Sequence, residues 1–226
     1  MKNQISKLFA IGLLLALAPL SISTAFAWSD DNHHHHHPSP PPPLEGEGVN
    51  KYKYKVGDRG PGLGFIFFVD YYDQYPGFTY LEAAPTDIAG VDWCNNLSTS
   101  PGTGGWSGKG VGKGRANTIA MLEVCTSGAA NEADSYLTAT KSDWFLPSLG
   151  ELKLMYDNLL EAGVGGFASN LRSDMACFMV DCNFSNFYWS STEYDSGNAW
   201  YLSFLDGIQQ YLTKNSTVEV RAVRAF

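Results

Sequence analysis

Histidine is missing from all but one stretch of this chain. The five histidines sit together at positions 33–37. Everything else therefore lacks the commonest general base, any Ser-His or Cys-His nucleophile pair, and imidazole ligands for zinc. Four cysteines occur, Cys94, Cys125, Cys177 and Cys182, and none stands in a CxxC spacing, which argues against a four-cysteine zinc site. Basic charge is scarce: 15 Lys and Arg against 23 Asp and Glu give a net charge of −8. With no basic patch interleaved with aromatics, nucleic acid is not an expected partner. After the N-terminus no apolar run approaches membrane length, so no membrane span is expected.

Nucleotide motifs are missing too. Gly108-Lys109 and Gly112-Lys113 are each followed by glycine, where a Walker loop needs Ser or Thr. Gly60, Gly62 and Gly64 precede a strand instead of following one, against the dinucleotide fingerprint. Both stretches read as tight loops that need positive φ. The carboxylates Asp143, Glu151, Asp157, Glu193, Asp195 and Asp206 show no diagnostic pairing and read as caps and solvated charges. Glu193 and Asp195 share a strand face by period-two spacing, a weak signal for a cation or polar ligand. No catalytic residue, metal or cofactor is expected.

What is present begins with an export signal. Lys2 and Lys7 precede the apolar run Leu8 to Leu20, and Ala25-Phe26-Ala27 forms an A-x-A cleavage site, so residues 1–27 read as a signal peptide. Residues 28–50 read as a linker, with the histidine tract followed by a proline run that favours extended polyproline II. Residues 51–226 are left for one folded domain, and 44% hydrophobic and 14% aromatic content suits a packed core. In an exported chain an even cysteine count points to disulfides. Four cysteines allow three pairings; nearest-neighbour pairing gives Cys94–Cys125 and Cys177–Cys182. Closing the longer loop would contribute about 3–4 kcal/mol in the chain-entropy model.

Periodicity predicts strands at Phe65–Val69 and Phe78–Ala83, with a turn at Tyr75-Pro76-Gly77. A polar loop is expected from Asn95 to Gly114. A helix follows over Arg115–Cys125 with Ile119, Leu122 and Ala116 on its inner face, then a short helix over Glu132–Thr140. The clearest helix starts at Ser148, an N-cap with Glu151 three residues on. Its apolar stripe is Leu149, Leu152, Met155, Tyr156 and Leu159, and Gly163 stops it. At least four strands follow in the C-terminal segment, so the fold class is α+β.

That last segment, Tyr188 to Phe226, holds the candidate binding face. Trp189, Trp200 and Phe204 are assigned to the core, while Leu202 and Ile208 stay open between core and surface. Alternation then turns Tyr201, Ser203 and Leu205 outward. With Tyr194, Asp195, Asp206, Ile208, Tyr211, Leu212, Thr213 and Ser216 they form a mixture of aromatic, aliphatic and adaptable polar groups like that of a paratope.

The segment WSSTE…AW…F..G leading to VRAVRAF, with Val56-Gly57-Asp58-Arg59-Gly60-Pro61-Gly62 and Trp144-Phe145-Leu146-Pro147-Ser148-Leu149-Gly150-Glu151-Leu152, resembles the Lcl C-terminal-domain family. Within it the segment is similar to the variable proteins of diversity-generating retroelements. The resemblance, over about Tyr54 to Phe226, implies a C-type-lectin-like fold: helices plus an antiparallel sheet with a C-terminal β-ribbon ligand face. It also implies a protein or glycan ligand met outside the cytoplasm. The sugar-binding tripeptides Glu-Pro-Asn, Gln-Pro-Asp and Trp-Asn-Asp are missing, so a calcium-dependent sugar site of that kind is not implied. Tyr201, Ser203, Leu205, Asp206, Ile208, Tyr211, Leu212, Thr213 and Ser216 are all reachable from Asn codons by adenine substitution, whereas Gln209, Gln210, Lys214 and Glu219 are not. A formylglycine-generating type of enzyme, which shares the lectin-like fold and needs reactive cysteines, is the rival reading; a structural envelope protein is another.

Overall fold

The computed structural model describes residues 51–160, 162–167 and 186–226. The signal peptide and linker of residues 1–50, and the Cys177–Cys182 pairing, lie outside the described residues.

The domain is mixed α+β. Strands β1 (Phe65–Val69) and β2 (Tyr80–Ala83) form an antiparallel pair, and β3 (Ile88–Val91) follows. Helices α1 (Gly105–Lys109), α2 (Gly114–Leu122), α3 (Ala129–Ser135) and α4 (Leu149–Met155) come next, α4 running on into a widened π turn at Tyr156–Leu160. The C-terminal segment supplies β4 (Phe187–Glu193), β5 (Asn198–Ser203), β6 (Gln209–Thr213), β7 (Val218–Val220) and β8 (Val223–Ala225). Two sheets result: β1-β2-β8, and β3-β7-β4-β5-β6. The β4–β7 contact is parallel and the remaining pairings are antiparallel. The first and last strands thus share one sheet, with β2 between them.

α4 forms where the capping pattern puts it. Ser148 Oγ accepts from Glu151 N at 3.2 Å, and Glu151 Oε2 accepts from Ser148 N at 2.8 Å. Leu149, Leu152, Met155 and Leu159 are buried. α2 departs from its predicted inner face. Asn117, Thr118 and Met121 face inward, while Ile119 is exposed. The buried polar pair is satisfied: Asn117 Nδ2 donates to Gly108 O (2.8 Å) and Ser191 Oγ (3.1 Å), and Thr118 Oγ1 accepts from Leu146 N (3.0 Å). A hydrogen-bonded face of this kind leaves no apolar periodicity to read.

β4 beyond Phe187 and the end of β5, Tyr201 to Ser203, are buried on both sides. Trp189 and Tyr201 join a cluster with Trp93, Met121 and Val218. Tyr188, Leu202 and Phe204 join another with Leu152 and Met155 of α4. Cys94 and Cys125 are bonded, with their Cα atoms 5.4 Å apart, which ties the end of α2 to the chain after β3. Among the described residues, no helix is long and apolar enough to cross a membrane.

Candidate functional site

The two-sided burial of β5 corrects the predicted ligand face. Tyr201 is 6% exposed and Ser203 is 3% exposed. The Tyr201 ring lies against Phe187 and Trp189, and its burial pushes the phenol's pKa up. Both residues are therefore framework. Alternation correctly put Tyr201 and Leu202 on opposite faces; it could not show that each face has a covering layer.

Trp200 is the converse correction. Assigned to the core, it is only half-buried. It stands beyond the part of β5 that α4 covers, directly across from Tyr211 on β6. Tyr194 stacks on Tyr211, with centroids 3.9 Å apart and planes 3° from parallel, and meets Trp200 edge-on at 5.0 Å. Lys109 Nζ lies 3.9 Å from the Trp200 ring centroid and 5.9 Å from that of Trp106. Trp106 is 79% exposed, and Tyr194 and Tyr211 are 43% and 49% exposed. The result is an open aromatic platform of Trp106, Trp200, Tyr211 and Tyr194 with one ammonium group set among the rings.

Of the predicted residues, the platform unites Tyr194 and Tyr211. Asp195 begins the β4–β5 turn: its Oδ1 accepts from Gly197 N and Asn198 N, both at 2.8 Å. These donors hold its carboxyl below the usual range, the Gly197 amide first. Thr213 and Ser216 share a hydroxyl contact of 2.9 Å in the β6–β7 turn, and Thr213 pairs with Asn198 at the same end of the ribbon. Asp206 and exposed Ile208 sit in the opposite β5–β6 turn, where Asp206 Oδ1 accepts from Ile208 N at 3.1 Å. Leu205 is half-buried, and Leu212 packs partly against the core.

Glu193 is not available to a ligand. It is 5% exposed, and its Oε1 lies 2.5 Å from Nζ of fully buried Lys214. Lys214 also donates to Ser196 O at 2.9 Å, and Ser100 Oγ donates to Glu193 Oε2. The pair ties the tip of β4 to the β6–β7 turn beneath the platform.

Sequence reading missed Trp106, Lys109 and the outward role of Trp200. One signal existed: a tryptophan in a Gly/Ser loop, with a lysine three residues on, has no apolar stripe to join. Within the stretch taken for a loop, Gly105–Lys109 form α1, and its mount is rigid. Gly108 O accepts from Asn117 Nδ2 (2.8 Å) and Thr192 Oγ1 (3.0 Å), and Gly110 O accepts from Ser148 Oγ (2.8 Å). Glu151 Oε1 accepts from Gly112 N at 2.8 Å and Gly114 N at 3.4 Å. Glu151 is fully buried, and that burial raises its pKa to about 7 against the pull of the backbone donors. The loop that fails the phosphate pattern thus cradles a carboxyl group of its own chain.

The second glycine stretch does the same. Glu82 Oε1 accepts from Gly62 N (2.9 Å) and Gly64 N (2.8 Å), while Arg224 Nη1 lies 3.0 Å from Oε2. Positive φ is not what Gly60, Gly62 and Gly64 supply. A Cβ on Gly60 would fall 2.4 Å from the Glu82 carboxyl carbon, and one on Gly64 would fall 1.9 Å from Ala83 O. In the other stretch, Gly102, Gly105 and Gly112 do have positive φ.

Two cavities, of 420 and 340 Å³, flank the stacked Tyr75 and Phe78 rings and do not include the platform. Glu151 lines the smaller, but both its oxygens are already occupied by backbone donors.

No family model matches the chain, and no curated protein matches it. Among solved structures, a fimbrial protein from Bacteroides ovatus is similar over 76% of this chain at 14% identity, with a TM-score of 0.46. The chain spans about half of that structure's length, 49%.

Proposed function

We propose that this chain is an exported, adhesin-like or receptor-like protein that binds a protein or glycan, and that it is not an enzyme. One observation carries the reading: Trp106, Tyr194 and Tyr211 stand open to solvent around half-buried Trp200, and the backbone that carries Trp106 is fixed by buried hydrogen bonds. Rigid aromatic groups offer large contact area at little entropic cost, and a few such anchors dominate binding energy. Lys109 adds a charge-assisted donor at the same place. The C-type-lectin-like build and the kinship with retroelement-diversified proteins belong to this proposal and rest on the residue resemblance. Under it, diversification acts on the exposed subset, Asp206, Ile208, Tyr211 and Thr213, with Tyr201 and Ser203 held constant by burial. A template repeat and a reverse transcriptase beside the gene would support diversification; a neighbourhood without them would remove it.

The full chain, screened on glycan and protein arrays, should retain one class of ligand. Trp106→Ala, Trp200→Ala and Tyr211→Ala should each weaken that binding about tenfold or more, the scale of a hot-spot residue, with the circular dichroism spectrum unchanged. Binding that survives all three substitutions would move the site elsewhere. Free thiols at Cys177 and Cys182 on titration of the native protein would favour the formylglycine-generating reading.

A further inference from the structure

The edges of the two sheets are not treated alike. β1 is covered by the chain before it: Gly57 N donates to Ile66 O and Ile66 N to Asp58 O, at 2.8 and 2.9 Å. β8 is closed by Phe145, which exchanges two backbone bonds with Val223 at 2.8 and 2.9 Å. β3 is blunted by a register break between Ile88 and Val91 and by the positive φ of Gly90. β6 has none of these devices among the described residues. It is Gln209-Gln210-Tyr211-Leu212-Thr213: uncharged, free of proline and regular in its pairing with β5. Open edges of this kind are templates for another strand unless charge, proline or a bulge blocks them.

The register shows which groups face outward. Ser203 N donates to Ile208 O and Lys214 N to Gly197 O, both at 3.0 Å. Alternation between these two bonds turns the backbone groups of Gln210 and Leu212 toward β5, and those of Gln209, Tyr211 and Thr213 toward the open edge.

We propose that β6 pairs antiparallel with β6 of a second copy of this chain, about a twofold axis at Tyr211. The strand is self-complementary in that arrangement. Tyr211 exchanges both backbone bonds with its counterpart, and Gln209 falls opposite Thr213, polar against polar. The contact is isologous and closes at two copies. Charge selects the place: a chain of net charge −8 repels its own copies, and β6 offers an approach strip with no charge on it. Residues opposite each other in an antiparallel pair share a face, so the twofold sets the two Tyr211 rings side by side. The two aromatic platforms then form one continuous surface.

Sedimentation of the full chain over a concentration series, read with amide hydrogen exchange, tests the pairing. The dimer fraction should rise with concentration, and protection of the Tyr211 amide should rise with it. Tyr211→Pro removes an outward N–H and no bond to β5, and should abolish the dimer. Should that variant fail to fold, Thr213→Lys sets like charges on the edge and should weaken dimerisation about tenfold or more. Gln209→Thr should leave it intact. A monomer at every concentration overturns the proposal. If the Tyr211 amide is protected in a chain that sediments as a monomer, the edge is covered within one copy, which overturns the pairing. If protection appears only with array ligand, the edge takes a foreign strand. A dimer that survives both Tyr211→Pro and Thr213→Lys uses another surface and also overturns it. Loss of ligand by Trp106→Ala with dimerisation unchanged separates this result from that of the platform.

Discussion

Two glycine-rich loops in this molecule wrap a buried carboxylate, and they do so under different electrostatics. At Gly60–Gly64 the anion is Glu82, which also meets Arg224, itself paired to Asp143 at 2.9 Å. At Gly110–Gly114 the carboxyl group is that of Glu151, and among the described residues no ion pair reaches it. Backbone N–H groups of Ser148, Gly112 and Gly114, with the Ser148 hydroxyl, hold it in place of a cation. Each cradle also carries a tryptophan near a cation: Trp144, 2% exposed with Arg224 at 6.0 Å, and Trp106, 79% exposed with Lys109 at 5.9 Å. The same local chemistry closes a core at one end and presents a surface at the other. What differs is whether a charge accompanies the carboxylate and whether a layer covers the indole.

The largest expected effect breaks the first cradle. Arg224→Ala leaves Glu82 buried without its cation, and losing one partner of a buried pair costs about 3–5 kcal/mol. Trp144→Ala should cost a similar amount, about 3–5 kcal/mol, by opening a cavity. Urea unfolding measures both.

The second cradle answers to pH. A carboxyl whose folded pKa is raised from 4.5 to about 7 binds its proton more tightly folded than unfolded. Its contribution is therefore fully present below about pH 4.5 and is lost as pH rises toward 7, up to about 3 kcal/mol. Glu219, raised chiefly by burial, acts in the same sense. Asp143, held low first by its bond to Arg224, acts oppositely, its share being lost only as pH falls below the ordinary carboxylate range. Stability should peak near pH 4.5–5, and Glu151→Gln should flatten the decline above it. A wild-type curve flat between pH 5 and 7 would show that Glu151 ionises normally.

A milder strain sharpens the same point. A Cβ on Gly114 would lie 2.2 Å from Glu151 Oε2 and 2.8 Å from the Phe145 ring. Gly114→Ala should cost about 1–3 kcal/mol as overpacking, visible as a lowered Tm.

Much of this was legible in the residues. Ser148 and Glu151 marked the start of α4 because a capping box is local chemistry. Phe65–Val69 read as a strand because it is an unbroken apolar run. The α2 face escaped because Asn117 and Thr118 are buried through hydrogen bonds, which leave no hydrophobic period. The ligand face was half-read for a related reason. Alternation shows that Trp200 and Tyr201 point opposite ways, but which one meets solvent depends on the helix and loop packed above, contacts made by residues far away in sequence. Gly60, Gly62 and Gly64 were misread in cause, since the need for space beside Glu82 is a tertiary fact, whereas the positive φ expected of the other stretch is there at Gly102, Gly105 and Gly112.

The smallest stability effect bears most on function. Trp106→Ala removes a large side chain, yet almost nothing covers that side chain in the folded domain. Its loop is held from below, through Gly108 O, Gly110 O and the Glu151 cradle, and none of those bonds involves the indole. Unfolding free energy should stay within about 0.5 kcal/mol of wild type, against the several expected for Trp144→Ala. A large loss at Trp106 would mean that the indole supports the fold and that the two cradles are alike. An unchanged Tm with lost ligand binding would mean that an exposed aromatic group is kept there for a partner.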